Sequence, residues 1–196
     1  VGADAVFYPS PKMMYPAGYR TAVTVDGLSS ILCGVTRPTH FSGVATVVAK
    51  LFIIVAPDHA YFGEKDFQQA AVISRMTADL NIPVTIHTCP IIREADGLAM
   101  SSRNVYLSPK ERKDAVLLYR SLLAARKAYR TGERDTQKLK DIMRAVIAEG
   151  KSLRIDYIEF VDPVSLESTS RADNRTRMVM AVFSGKTRLI DNMRLA

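Results

Sequence analysis

Tryptophan is absent from the 196-residue chain, and cysteine occurs only at Cys33 and Cys89. Two widely separated thiols, neither in a Cys-x-x-Cys pair, exclude a disulfide framework and read as reduced thiols of a cytoplasmic protein. Ten glycines and nine prolines are too few for a collagen-like or low-complexity chain. No stretch approaches the roughly 18 consecutive apolar residues of a membrane span. The three histidines, His40, His59 and His87, lack metal-ligand spacing to one another or to cysteine, so no metal site is expected. No Gly-x-Gly-x-x-Gly occurs, which removes the usual dinucleotide fingerprint. The chain opens Val1-Gly2-Ala3-Asp4, with neither an initiator Met nor a secretory pattern, which reads as a start other than the natural one.

What is present is ample material for a core. Apolar residues make up 47% and charged residues 24%, the balance of one globular domain or two small ones. Lys and Arg number 27 against 20 acids, net +7, which suits a polyanionic partner such as a nucleotide or nucleic acid. The cations are dispersed without aromatic interleaving, the pattern of a solvated surface. Two function classes follow: an enzyme, or a non-catalytic nucleotide- or RNA-binding module.

Residues 4–8 read as a short strand and residues 21–25 as an edge strand before an Asp26-Gly27 turn. From Val44 the apolar residues fall at 44, 47, 48, 51, 52 and 55, the spacing of a helix with one wide buried face, stopped by Pro57. Residues 60–62 predict a buried strand, 65–80 a helix and 84–88 a second strand. This alternation gives parallel strands joined by crossovers. Ser108-Pro109-Lys110-Glu111 is a capping box opening a helix that ends at Gly132. Another helix starts near Thr136 and stops at Gly150, and residues 155–161, 178–183 and 187–190 predict strands. Gly185-Lys186-Thr187 imitates the end of a phosphate-binding P-loop, but no helix follows, and it reads as a hairpin turn. The fold class is therefore α/β, with a parallel sheet over residues 1–91 and a smaller α+β domain over 92–196.

Two segments offer chemistry. Gly63-Glu64-Lys65-Asp66-Phe67-Gln68-Gln69 lies where a strand ends and a helix begins, the place where open α/β sheets bind ligands. Gly63 permits close backbone approach, Lys65 offers a cation to a phosphate, Asp66 can accept from a sugar hydroxyl, and Gln69 lies one turn on. The loop from Arg93 to Asn104 sets two hydroxyls beside an Arg, donors suited to triphosphate oxygens. His40, before the helix, can hold a loop, cap the helix or touch substrate.

Together, His40-Phe41-Ser42-Gly43-Val44, Tyr61-Phe62-Gly63-Glu64-Lys65-Asp66-Phe67-Gln68-Gln69, the 93–104 loop and Leu189-Ile190-Asp191-Asn192 resemble, in order along the chain, the pantoate–β-alanine ligase family. The resemblance implies a Rossmann-like domain of the nucleotidylyl-transferase superfamily and a C-terminal lid. It implies ATP contacts at Gly63, Glu64, Lys65, Asp66, the Ile92 backbone, Met100, Ser101, Ser102 and Arg103, with Lys65, Ser101, Ser102 and Arg103 catalytic and Gln69 binding pantoate. Met100-Ser101-Ser102-Arg103 is similar to a KMSKS loop. The implied chemistry joins pantoate to β-alanine through pantoyl adenylate, with ATP and Mg²⁺, in a cytoplasmic homodimer without nucleic-acid or membrane partners. The family's N-terminal His-x-x-His element has no counterpart here, so roughly the first third of the enzyme is expected to be missing and the chain alone to be inactive.

Overall fold

The computed structural model describes residues 2–196; Val1, on which the reading of the start opens, lies outside them. Neither residues 4–8 nor residues 21–25 form the expected strand. Alternation supplies a strand's pattern, but its hydrogen bonds must come from a neighbouring backbone. Residues 4–8 run along the surface, with Val6 81% and Tyr8 93% exposed. At 21–25 helical side chains take the place of a ladder. The Val23 N–H donates to Thr46 Oγ1 at 2.8 Å, and its carbonyl accepts from Ser42 Oγ at 3.2 Å.

Helix α1 (Pro11–Met14) is a single turn, capped by the Ser10 hydroxyl, inside the segment that reads as loop. After α2 (Cys33–Thr36) comes α3 (His40–Val55), which begins earlier than the apolar spacing indicates because Phe41, in its first turn, is buried. The helix ends where Ala56 turns left-handed at φ 47° and Pro57 forbids continuation. Strand β1 (His59–Gly63), a 3₁₀ turn at Glu64–Asp66, helix α4 (Phe67–Asp79) and strand β2 (Thr85–Cys89) follow, and the strands pair in parallel as expected.

Helix α5 (Pro109–Arg130) opens on the predicted capping box, with the Ser108 N–H donating to Glu111 Oε2 at 2.8 Å and the Glu111 N–H to Ser108 Oγ at 3.4 Å. Helix α6 (Thr136–Ala148) is capped by Asp135. Strands β3 (Leu153–Val161), β4 (Arg177–Ser184) and β5 (Thr187–Arg194) form an antiparallel sheet in the order β3-β4-β5, with Gly185 at φ 56° in the predicted hairpin turn.

Two cores result. Leu118, Leu122, Leu139, Met143 and Ile147 of α5 and α6 cover Phe160, Met178 and Met180 on one face of the antiparallel sheet. Alternate residues of the same strands, Val161 and Val179, join Phe41, Phe52, Val72, Ile73 and Met76 in the other core. Each fully buried aliphatic side chain there contributes about 1.5–3 kcal/mol. The antiparallel sheet thus serves both cores, and this fixes β5 against the start of α4, where the candidate site lies.

Candidate active site

Between the first turn of α4, the 100–103 loop and β5 lies a cleft of about 410 Å³. Lys65, Asp66, Gln69, Met100, Ser101, Ser102 and Arg103 all line it, so the two segments singled out in the sequence meet across one space. The Lys65 ammonium is only loosely engaged, 3.9 Å from Asp66. Ser101 caps a 3₁₀ turn (Ser102–Tyr106), its hydroxyl accepting from the Arg103 N–H at 3.2 Å. The Arg103 guanidinium is held to β5 through the Arg188 carbonyl at 3.1 Å.

Three expected residues stand apart from the cleft. Gly63 is not in its wall, and a Cβ there would meet nothing within 4 Å, so no close approach requires glycine. Glu64 faces the other way, paired with the buried Arg177 at 2.7 Å, and this hydrogen bond holds its carboxyl below the usual range. Ile92 offers its carbonyl to the Met100 N–H at 2.9 Å and leaves its side chain exposed. Its backbone therefore shapes the 100–103 loop from outside.

The 93–104 loop is a built turn. Arg93 grips Asp191 with two hydrogen bonds of 2.7 and 2.9 Å, and Arg112 holds Glu94 at 2.7 Å and Asp96 at 2.8 Å. Burial pushes the Asp191 carboxyl up, while its paired bonds to Arg93 oppose that shift. Two of the loop's acids therefore serve to anchor it. Its hydroxyls and Arg103 face the cleft.

Several cleft residues carry no local signal. Gln68, next to the expected Gln69, is buried and donates to the Leu28 and Ile31 carbonyls at 2.9 and 2.7 Å while accepting from the Cys33 N–H at 3.1 Å. Beside it, Cys33 Sγ lies 3.2 Å from Tyr157 Oη and 3.4 Å from Arg188, which is itself paired with Asp156 at 2.8 Å. Burial drives the Tyr157 phenol well above its ordinary value, so it remains neutral. His40 lies in the cleft wall, its imidazole shifted down first by burial and then by Arg37, Arg103 and Arg188, with Asp66 opposing.

Away from the cleft, strand register joins two histidines that sequence spacing separates: His59 Nδ1 lies 3.0 Å from His87 Nε2, with Tyr61 stacked on His87. Among the described residues no group of three or more His, Cys, Asp or Glu side chains could hold a metal. No helix among them is long and apolar enough to cross a membrane.

A family model described as Pantoate-beta-alanine ligase matches residues 1–194. The pantothenate synthetase of Caldicellulosiruptor saccharolyticus is 55% identical over 192 residues, which span 98% of this chain and 68% of that protein. A pantothenate synthetase structure from Thermus thermophilus matches with a TM-score of 0.95 at 44% identity, covering 99% of this chain and 70% of that one. A pantoate-beta-alanine ligase from Francisella tularensis, complexed with beta-gamma ATP and beta-alanine, matches with a TM-score of 0.70 at 31% identity, over 94% of this chain and 62% of that one. The α/β architecture is the fold of these ligases, and the chain belongs to the pantoate–β-alanine ligase family.

Proposed function

We propose that the cleft binds ATP and pantoate and serves the condensation of pantoate with β-alanine through pantoyl adenylate. The observation that carries this reading is the convergence of Lys65 and Gln69 with Met100, Ser101, Ser102 and Arg103 on one cleft. The pantoate carboxylate attacks the α-phosphorus, the bond to the bridging oxygen breaks, and that oxygen leaves with the pyrophosphate. The β-alanine amine then attacks the acyl carbon, loses its proton and releases AMP.

In this reading Lys65 and Arg103 offset charge that grows on the phosphates, and Ser101 and Ser102 supply hydroxyl donors. Gln69 orients pantoate, one helical turn from the Lys65 ammonium. Glu64 acts through its ion pair with Arg177 and Ile92 through its carbonyl, each shaping a segment that meets the nucleotide. The cleft's carboxylates are Asp66 and the Arg93-bound Asp191, too few for a dedicated metal site, so Mg²⁺ belongs to the substrate as the ion carried on the triphosphate.

Residues 1–91 form the nucleotide and pantoate unit and 92–196 the lid. Exposed Ile53, Ile54 and Tyr61 favour pairing with a second copy. No His-x-x-His occurs in these 196 residues. By the family resemblance that element contacts the phosphates, and donors aimed at developing charge are worth about a hundredfold or more each in rate, so these 196 residues by themselves are expected to turn over far more slowly than a relative possessing that element.

The test is AMP release with ATP, Mg²⁺, pantoate and β-alanine, run beside the Caldicellulosiruptor saccharolyticus protein. Slow, pantoate-dependent AMP release supports the reading. AMP release at the relative's rate would contradict the role given to the absent element. Absence of ATP binding, with salt-sensitive RNA binding in its place, would contradict the ligase reading.

A further inference from the structure

The cleft continues into a wide groove lined by Arg37, Arg103, Tyr106, Lys186, Thr187 and Arg188. Three of these, Arg37, Arg103 and Arg188, also line the cleft, so the two spaces share a wall of guanidinium groups. Of the four cations, only Arg188 forms an ion pair among the described residues, with Asp156 at 2.8 Å. Arg37, Arg103 and Lys186 form none. Three unopposed positive charges in one groove repel one another, and a multiply charged anion seated among them relieves that repulsion. A single carboxylate, such as that of pantoate or β-alanine, needs one cation and leaves the others uncompensated.

Lys186 is held in place by more than its own side chain. It occupies the tight turn between β4 and β5, where Gly185 takes φ 56° and donates its N–H to the Ser152 carbonyl at 3.0 Å. The Gly185-Lys186-Thr187 sequence is therefore a hairpin, but one whose lysine stands at the groove. Arg103, tied to the Arg188 carbonyl at 3.1 Å, forms the corner between groove and cleft. The groove is open to solvent, which suits a group that departs.

We propose that Arg37 and Lys186, which line the groove with Arg103, receive the pyrophosphate released when the α-phosphorus bond breaks and conduct it out of the cleft. The inference rests on the ligase reading and adds two residues to it.

The experiment is calorimetric titration of the protein with inorganic pyrophosphate and, separately, with AMP. The Arg37→Ala/Lys186→Ala pair is expected to weaken pyrophosphate binding at least about tenfold while leaving AMP binding within about twofold. The charge-retaining Arg37→Lys/Lys186→Arg pair is expected to recover most of the loss, which a merely unfolded variant would not do. Unchanged pyrophosphate binding in the alanine pair would overturn the proposal, as would an equal loss of AMP and pyrophosphate binding. Failure of the unsubstituted protein to bind AMP or ATP contradicts the ligase reading, and the proposal with it. RNA binding that the alanine pair abolishes, without pyrophosphate binding, would assign the groove to nucleic acid instead.

Discussion

Asn192 on β5 holds the main chain of Lys65: its side-chain amide donates to the Lys65 carbonyl at 3.0 Å and to the Glu64 carbonyl at 2.9 Å. Its oxygen accepts from Arg177 Nε at 2.8 Å, so one buried amide ties the C-terminal sheet to the turn that carries the lysine. Asn192→Ala takes a partner from two carbonyls and from the Arg177 Nε–H, although Arg177 keeps its ion pair with Glu64, and each unsatisfied group costs about 1–3 kcal/mol. The variant is expected to lose about 2–4 kcal/mol in chemical denaturation and to bind ATP more weakly. A loss within the error of the measurement would show that the clamp is unimportant.

The adjacent glutamines are expected to separate stability from binding. Gln68 staples residues 28–33 through three hydrogen bonds, so Gln68→Ala should lower stability by about 2–3 kcal/mol. Gln69→Ala, whose side chain makes no hydrogen bond among the described residues, should leave the denaturation midpoint nearly unchanged and weaken pantoate binding. Equal midpoints for the two variants would contradict this division.

Gly97 tests how far the 93–104 loop depends on its packing. It sits at φ +94° against the Tyr119 ring, and its carbonyl accepts from Arg93 at 3.0 Å. An added Cβ would collide with that ring as well as strain the backbone. Gly97→Ala is expected to cost about 2–3 kcal/mol and to loosen the 100–103 loop. Amide exchange across residues 98–104 should quicken; unchanged exchange would mean that the loop keeps its form without the contact.

What the sequence makes legible follows from range. Helices α3 to α6 and strands β1 to β5 show in local periodicity and caps, whereas the single turns α1 and α2 do not, and the α4 lip and 100–103 loop show as dense donors. The false strands at 4–8 and 21–25 carry the pattern without a partner. Glu64 looks like a ligand because its ion pair, Arg177, is remote in sequence. Arg188, Tyr157 and the His59–His87 pair are hidden likewise, since only the register and packing of the strands create them. Asp191 and Asn192 enter the sequence reading only through the family resemblance; that they lie inside β5 and are buried there follows from the sheet.

His40 should give stability a slope with pH. Its folded value lies below the ordinary 6.5, so between those two values the unfolded chain holds more protons than the folded one. Stability contributed this way is complete above 6.5 and falls as pH drops through the window. His40→Gln should remove the slope, making the stability gap between wild type and variant smaller at about pH 5.5 than at about pH 7.5, as followed by thermal unfolding. A gap that widens on acidification would place the folded value above 6.5.

Titration of the protein with Mg-ATP, compared with Lys65→Ala and Arg103→Ala, tests most directly the claim that the two segments form one nucleotide site. The account predicts saturable binding of one ATP per chain, weakened at least about tenfold by either substitution, because each removes a charge-assisted phosphate contact. No ATP binding by the unsubstituted protein, or unchanged binding in both variants, would contradict it.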